Sequence, residues 1–244
     1  MKILLLDIET SPNTAYVWGI WQENITLDQI IDTSKVLCWS AKWYGEDELI
    51  FDSIHKSSHK AMIKRIHKLL CEADAVITYN GAKFDLPILN KEFLLAGLPP
   101  PSPYKSIDLY KTTKSKFKFV SNKLDFINKQ LGIGAKHKVD FMTWVKCMQK
   151  DSEAWTKMEA YNKNDVVELE KLYNVLLPWI KTHPNHSVHS GDLVCPRCGG
   201  YHYQKRGTAL TTTGKYTRYQ CKDCGHWFRE NKTLAPTEKF ISYE

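Results

Sequence analysis

Nowhere in this 244-residue chain is there an apolar stretch long enough to span a bilayer. The N-terminal apolar run, Ile3 to Leu6, gives way at once to acidic groups, so a secretory signal is not expected there. Internal repeats, heptads and low-complexity tracts are also missing, which removes solenoids and coiled coils from consideration. Cysteine is scarce before residue 190, where only Cys38, Cys71 and Cys147 occur, and these suit buried small apolar sites. An odd total of seven, with four crowded towards the end, fits a reducing compartment and a metal site better than a disulfide framework. The expectation is a cytoplasmic protein with no membrane partner, made by a cell or by a virus inside one.

What is present is ordinary globular material, 43% hydrophobic and 25% charged, enough for one sizeable core and a small extra module. The net charge of +7 is uneven: residues 181–244 hold ten Lys and Arg against five Asp and Glu. A basic end of this kind points towards polyanions.

Along the chain, β-branched and aromatic residues mark strands at Ile3–Leu6, Tyr16–Ile20, Val36–Tyr44, Glu48–Phe51 and Ala75–Tyr79. Helical spacing is read at 57–71, 84–96 and 151–177. A further helix carries Leu124, Ile127 and Leu131, with Ser121 or Asn122 as its cap and Gly132 as its end. The alternation predicts an α/β domain over 1–180. A linker at 181–194 follows, then a cysteine module at 195–229 and a tail at 230–244.

Three acidic segments stand out. Asp7 and Glu9 end the first strand and, with period two, project from the same face; either a cation binds between them or the acidic end of the strand simply meets solvent. Asp85 follows a strand and the Asn80-Gly81 turn, where it either lies at the ligand-binding mouth of a sheet or caps the next helix. On the long helix, Met158, Tyr161, Asp165, Leu169, Leu172 and Leu176 share one stripe. An aspartate facing the core there demands a cation or hydrogen-bond donors.

DIET (Asp7–Thr10), NGAKFD (Asn80–Asp85) and YNKND (Tyr161–Asp165) resemble, in order, the three exonuclease motifs of the DEDD superfamily of ribonuclease-H-like 3′ to 5′ exonucleases, over about residues 1–178. Tyr161 four residues before Asp165, with Ala160 where the other branch carries histidine, resembles the DEDDy branch. The resemblance implies a ribonuclease-H-like mixed sheet flanked by helices. It also implies two Mg²⁺ or Mn²⁺ ions held by Asp7, Glu9, Asp85 and Asp165, with Tyr161 orienting the attacking water. Oxygen ligands select such hard ions, and a pair of them suits phosphodiester hydrolysis. A nuclease fold that has lost activity and only binds nucleic acid is the alternative.

Cys195-Pro-Arg-Cys198 and Cys221-Lys-Asp-Cys224, 22 residues apart and each followed by glycine, make a four-cysteine set suited to one Zn²⁺. The segment resembles the zinc ribbons of transposases and other DNA-handling proteins. That implies nucleic-acid contact, most simply with single strands or 3′ ends of DNA. Lys205, Arg206, Lys215 and Arg218, interleaved with Tyr219 and Trp227, would contact the strand. A merely structural ribbon that docks on the larger domain, or on another protein, is the other reading. In the larger domain, Asn80, Phe84 and a basic, aromatic strip containing Lys116 and Lys118 are further candidate contacts; the strip reads equally as a solvated loop.

Overall fold

Ile3, Leu4, Leu5 and Leu6 are all buried because the strand they form is the middle one of a five-stranded sheet. The protein, described by a computed structural model over residues 1–21, 24–134 and 139–236, divides into two compact units at Leu172/Tyr173.

In chain order, the first unit contains β1 (Ile3–Thr10), β2 (Thr14–Ala15), β3 (Ile30–Asp32), β4 (Val36–Trp43), β5 (Leu49–Ser53) and α1 (His59–Glu72). It continues with β6 (Ala75–Thr78), α2 (Asp85–Leu95), β7 (Lys105–Asp108), α3 (Leu109–Lys116), α4 (Leu124–Leu131), α5 (Phe141–Met148) and most of α6 (Ser152–Leu176). The sheet order is β5-β4-β1-β6-β7. β1 runs antiparallel to β4 and parallel to β6, and β6 runs parallel to β7. The carboxyl ends of β1, β6 and β7 therefore open on one edge, the usual ligand edge of such sheets.

Alternation along β1 decides what each face meets. Leu4, Leu6 and Ile8 pack with Met62, Ile63, Ile66 and Leu70 of α1 and with Leu89 and Phe93 of α2. Asp7 and Glu9 have the opposite parity. Leu37 and Cys38 cluster with Cys147 of α5 and with Trp155, Met158 and Tyr161 of α6. The expected stripe on α6 is realised: Met158, Tyr161, Asp165, Leu169, Leu172 and Leu176 are all buried.

Two local expectations fail. Tyr16–Ile20 is not a strand; pairing stops at Ala15, and Tyr16 and Trp18 are 78% and 98% exposed. β-propensity cannot make a strand without a neighbour to complete its hydrogen bonds. The cap of α4 is Lys123, without a side-chain hydrogen bond, while Ser121, two residues before it, accepts from the Lys123 amide through its Oγ. The strand at β7 and the helices α3 and α5, each of eight residues or fewer, were not expected from the sequence, although Phe141, Trp144, Val145 and Met148 of α5 carry helical spacing.

The second unit contains α7 (His186–Ser190) and a three-stranded antiparallel ribbon in the order β10-β9-β8, from β8 (Tyr203–Thr211), β9 (Gly214–Cys221) and β10 (Trp227–Pro236). Residues 237–244 of the expected tail lie outside the described residues. No helix among the described residues is long and apolar enough to cross a membrane.

Candidate metal and nucleic-acid sites

Asp7 and Glu9 come from the end of β1, and Asp165 comes from one turn of α6. One carboxylate oxygen from each lies within 4.8 Å of the others. The helix reaches the strand because its apolar stripe is buried on that face of the sheet, and Asp165, one turn beyond Tyr161, is carried along with it.

Their surroundings hold these carboxylates in fixed directions. The Asn162 side chain, fully buried, donates to Asp7 Oδ2 at 2.6 Å. The Trp144 indole donates to Glu9 Oε2 at 3.2 Å and meets the Tyr161 ring edge-on, with centroids 6.0 Å apart. Tyr161 stands one turn before Asp165 on α6. Burial, followed by the charges of Asp165, Glu9 and Asp7, raises the Tyr161 phenol far above its ordinary range, so it stays protonated and able to donate.

Asp85 is brought to the same strand but is not in the three-carboxylate group. It occupies the first turn of α2, where Phe84 is the cap, and its Oδ1 accepts from the Ile8 amide at 3.2 Å, between Asp7 and Glu9. Burial pushes its carboxyl up to about 7, and the nearby Asp108 pushes the same way. Three carboxylates within 4.8 Å describe a site short of positive charge. The oxygen-only donor set fits a hard divalent cation, Mg²⁺ or Mn²⁺.

Beside the acidic group, Thr10, Ser11, Pro12, Phe141 and Trp144 line a mainly apolar cavity of about 360 Å³. That is within the range of roughly 300–1,000 Å³ usual for small-molecule sites.

Residues 4–177 match the RNase_H_2 family of the RNase H superfamily. The chain belongs to that family. Its structure is similar to that of the family B DNA polymerase from the hyperthermophilic archaeon Pyrobaculum calidifontis, with a TM-score of 0.53 and 18% identity. The similarity, one of fold, covers 72% of this chain and 24% of the polymerase, so the chain spans about a quarter of that protein. No curated protein sequence matches it.

This RNase_H_2 protein also carries the four-cysteine group. Sγ atoms of Cys195, Cys198, Cys221 and Cys224 lie within 4.8 Å of one another; Cys195 is 3.8 Å from Cys224, and Cys198 is 3.6 Å from Cys221. A tetrahedron with metal–sulfur bonds of about 2.3 Å has edges of about 3.8 Å, so the set fits zinc. Gly199 and Gly225, at φ of 75° and 78°, close the two knuckles by donating to the Cys195 and Cys221 carbonyls. His202 pairs with Asp223, and His226 Nδ1 bonds the Pro178 carbonyl oxygen, so neither histidine is needed as a ligand.

Lys205, Arg206, Lys215 and Arg218 are exposed on the ribbon. The Arg218 guanidinium lies 5.0 Å from the centre of the Trp227 ring, and Tyr219 packs in a cluster with Tyr203 and Phe228. In the RNase H-like unit, Phe84 is 44% exposed, Lys116 ends α3, and Lys118 is exposed beyond it. Asn80 has a left-handed backbone (φ 64°), with its amide donating to Asp108. The basic residues Lys136, His137 and Lys138 lie outside the described residues.

Sequence reasoning missed Trp144, Asn162 and Asp108. Asn162 had a usable signal, since it lies three residues before Asp165 on a helix whose inward face was already identified. Trp144 had none; it meets Glu9 across 135 residues of chain.

Proposed function

We propose that this protein is a metal-dependent 3′ to 5′ exonuclease of the DEDDy type, acting on nucleic acid, with DNA the favoured substrate. The observation that carries the proposal is the grouping of Asp7, Glu9 and Asp165 within 4.8 Å, with Tyr161 one helical turn before Asp165. The RNase H-like fold and the polymerase likeness support nuclease-type chemistry.

Asp7, Glu9, Asp165 and Asp85 would hold two Mg²⁺ or Mn²⁺ ions, which supply an activated water and stabilise the leaving oxygen. Asn162 and Trp144 keep Asp7 and Glu9 turned towards the shared volume, so little reorganisation is needed on binding. Tyr161, kept protonated by burial and by the carboxylates around it, would orient the attacking water. The cavity beside Trp144 would take the terminal nucleoside, with aromatic and apolar walls that favour base stacking without reading sequence.

The four cysteines would hold one Zn²⁺ and so fix the ribbon, whose Lys205, Arg206, Lys215, Arg218, Tyr219 and Trp227 would grip the strand. The test is incubation of purified protein with 5′-labelled single- and double-stranded DNA and RNA, with Mg²⁺, Mn²⁺ or chelator. A ladder shortening from the 3′ end, abolished by chelator and by Asp165→Ala, is expected. Metal-independent cleavage, or full activity of Asp165→Ala, refutes the assignment.

A further inference from the structure

We infer that Asp108, at the carboxyl end of β7, is a positioning residue for the carboxylate site: it holds the left-handed turn from which Asp85 is presented to β1. The inference rests on the metal-binding part of the proposed function.

The connection can be followed bond by bond. Thr78 and Asp108 are paired in register at the ends of β6 and β7. Asp108 Oδ1 accepts from the Asn80 amide at 2.8 Å and from the Tyr110 amide at 3.0 Å, so one oxygen ties the turn after β6 to the start of α3. Asn80 stands at φ 64°, a region an asparagine tolerates and most residues avoid. A Cβ on Gly81 would come within 2.4 Å of the Thr78 side chain, so the turn is pressed against the strand end. From this point the Asn80 carbonyl accepts from the amides of Lys83 and Phe84, and the Gly81 carbonyl accepts from Leu86. Those bonds set the first turn of α2, and Asp85 in that turn reaches the Ile8 amide between Asp7 and Glu9.

A neutral acceptor could cap α3, yet the residue is a carboxylate that is only 7% exposed, and its Oδ2 is buried without a hydrogen-bond partner among the described residues. Burying a charge so poorly satisfied is costly. Charge-assisted bonds to the Asn80 and Tyr110 amides, stronger than neutral ones, hold the turn at Asn80 in place against that cost.

The experiment compares Asp108→Ala with Asp108→Asn, which keeps a carbonyl oxygen for both amides. Ser58→Ala, which removes the cap of α1, is the control for reduced stability alone. Mn²⁺ binding is followed by electron paramagnetic resonance, and amide hydrogen exchange is read over 8–10 and 80–86. Asp108→Ala should weaken Mn²⁺ affinity by about tenfold or more and speed exchange at Ile8 and over 80–86. Asp108→Asn should stay within about threefold of wild type, the loss of charge assistance alone. If Asp108→Ala changes affinity and local exchange no more than Ser58→Ala does, the positioning role is overturned. A wild type that binds Mn²⁺ but hydrolyses nothing would refute the exonuclease assignment and leave Asp108 to be judged on the affinity ratio and exchange.

Discussion

Neutralising Asp7 should make the metal-free protein more stable and the metal-loaded protein less so. Its oxygen is within 4.8 Å of both Glu9 and Asp165. Two unit charges at that separation repel by about 3.5 kcal/mol at an effective dielectric constant of about 20. The full sum over two pairs is never reached. A carboxylate can take up a proton at pH 7 for about 4 kcal/mol, some three pH units above its ordinary pKa. In Asp7→Asn the relief is offset further by weakening of the bond from Asn162, worth about 1 kcal/mol. A net gain of at most about 3 kcal/mol remains, or up to about 6–12 °C in Tm for a chain of this size. Mn²⁺ at one hundred times its Kd would instead stabilise wild type by about 2.7 kcal/mol and the variant much less. The order of melting temperatures, read by circular dichroism in EDTA and then in excess Mn²⁺, should therefore invert. A variant less stable than wild type in EDTA, with both responding equally to Mn²⁺, would refute the claim that these carboxylates share one cation-binding volume.

Tyr161→Phe should slow turnover by roughly 10² to 10⁴ with Mn²⁺ affinity unchanged, and a wild-type rate would exclude the hydroxyl from orienting water. Asp85, raised to about 7 in the folded protein, binds a proton that the unfolded chain releases near pH 4. Between those values the native state holds more protons, so in chelator this group's contribution makes stability fall as pH rises from 4 to 7, by up to about 1.4 kcal/mol per unit. Asp85→Asn should flatten that slope in urea titrations; an unaltered slope would show that Asp85 ionises normally. Lys205→Ala with Arg206→Ala should make the log-log salt dependence of single-strand binding shallower by about 0.7 for each phosphate that is no longer neutralised. Unchanged affinity and slope would remove the ribbon from the strand-holding role. Cys198→Ser should reduce bound zinc from about one per chain to none while Mg²⁺-dependent hydrolysis of short oligonucleotides persists. Loss of both together would tie the zinc site to catalysis.

What the sequence alone determined was the chemistry carried by local pattern. Asp7 and Glu9 share a face because strands alternate, Tyr161 and Asp165 share a stripe because helices turn by 3.6 residues, and two C-x-x-C pairs, each followed by glycine, suit a pair of zinc knuckles. Those are short-range geometries, and they were legible without a partner in view. The strand expected at Tyr16–Ile20 failed for the converse reason, because residues suited to a strand form one only beside another strand.

Everything that orients the site was decided by the tertiary structure. Trp144 reaches Glu9, Asn162 reaches Asp7, and Asp85 reaches the Ile8 amide, over 135, 155 and 77 residues of chain respectively. No local spacing encodes such contacts. They follow from the parallel pairing of β1 with β6 and of β6 with β7, which brings three strand ends to one edge, and from burial of the α6 stripe against the sheet. Asp108 shows the division most clearly: in the sequence it is one acid before a short helix, and only the register of β7 beside β6 sets it against the Asn80 turn.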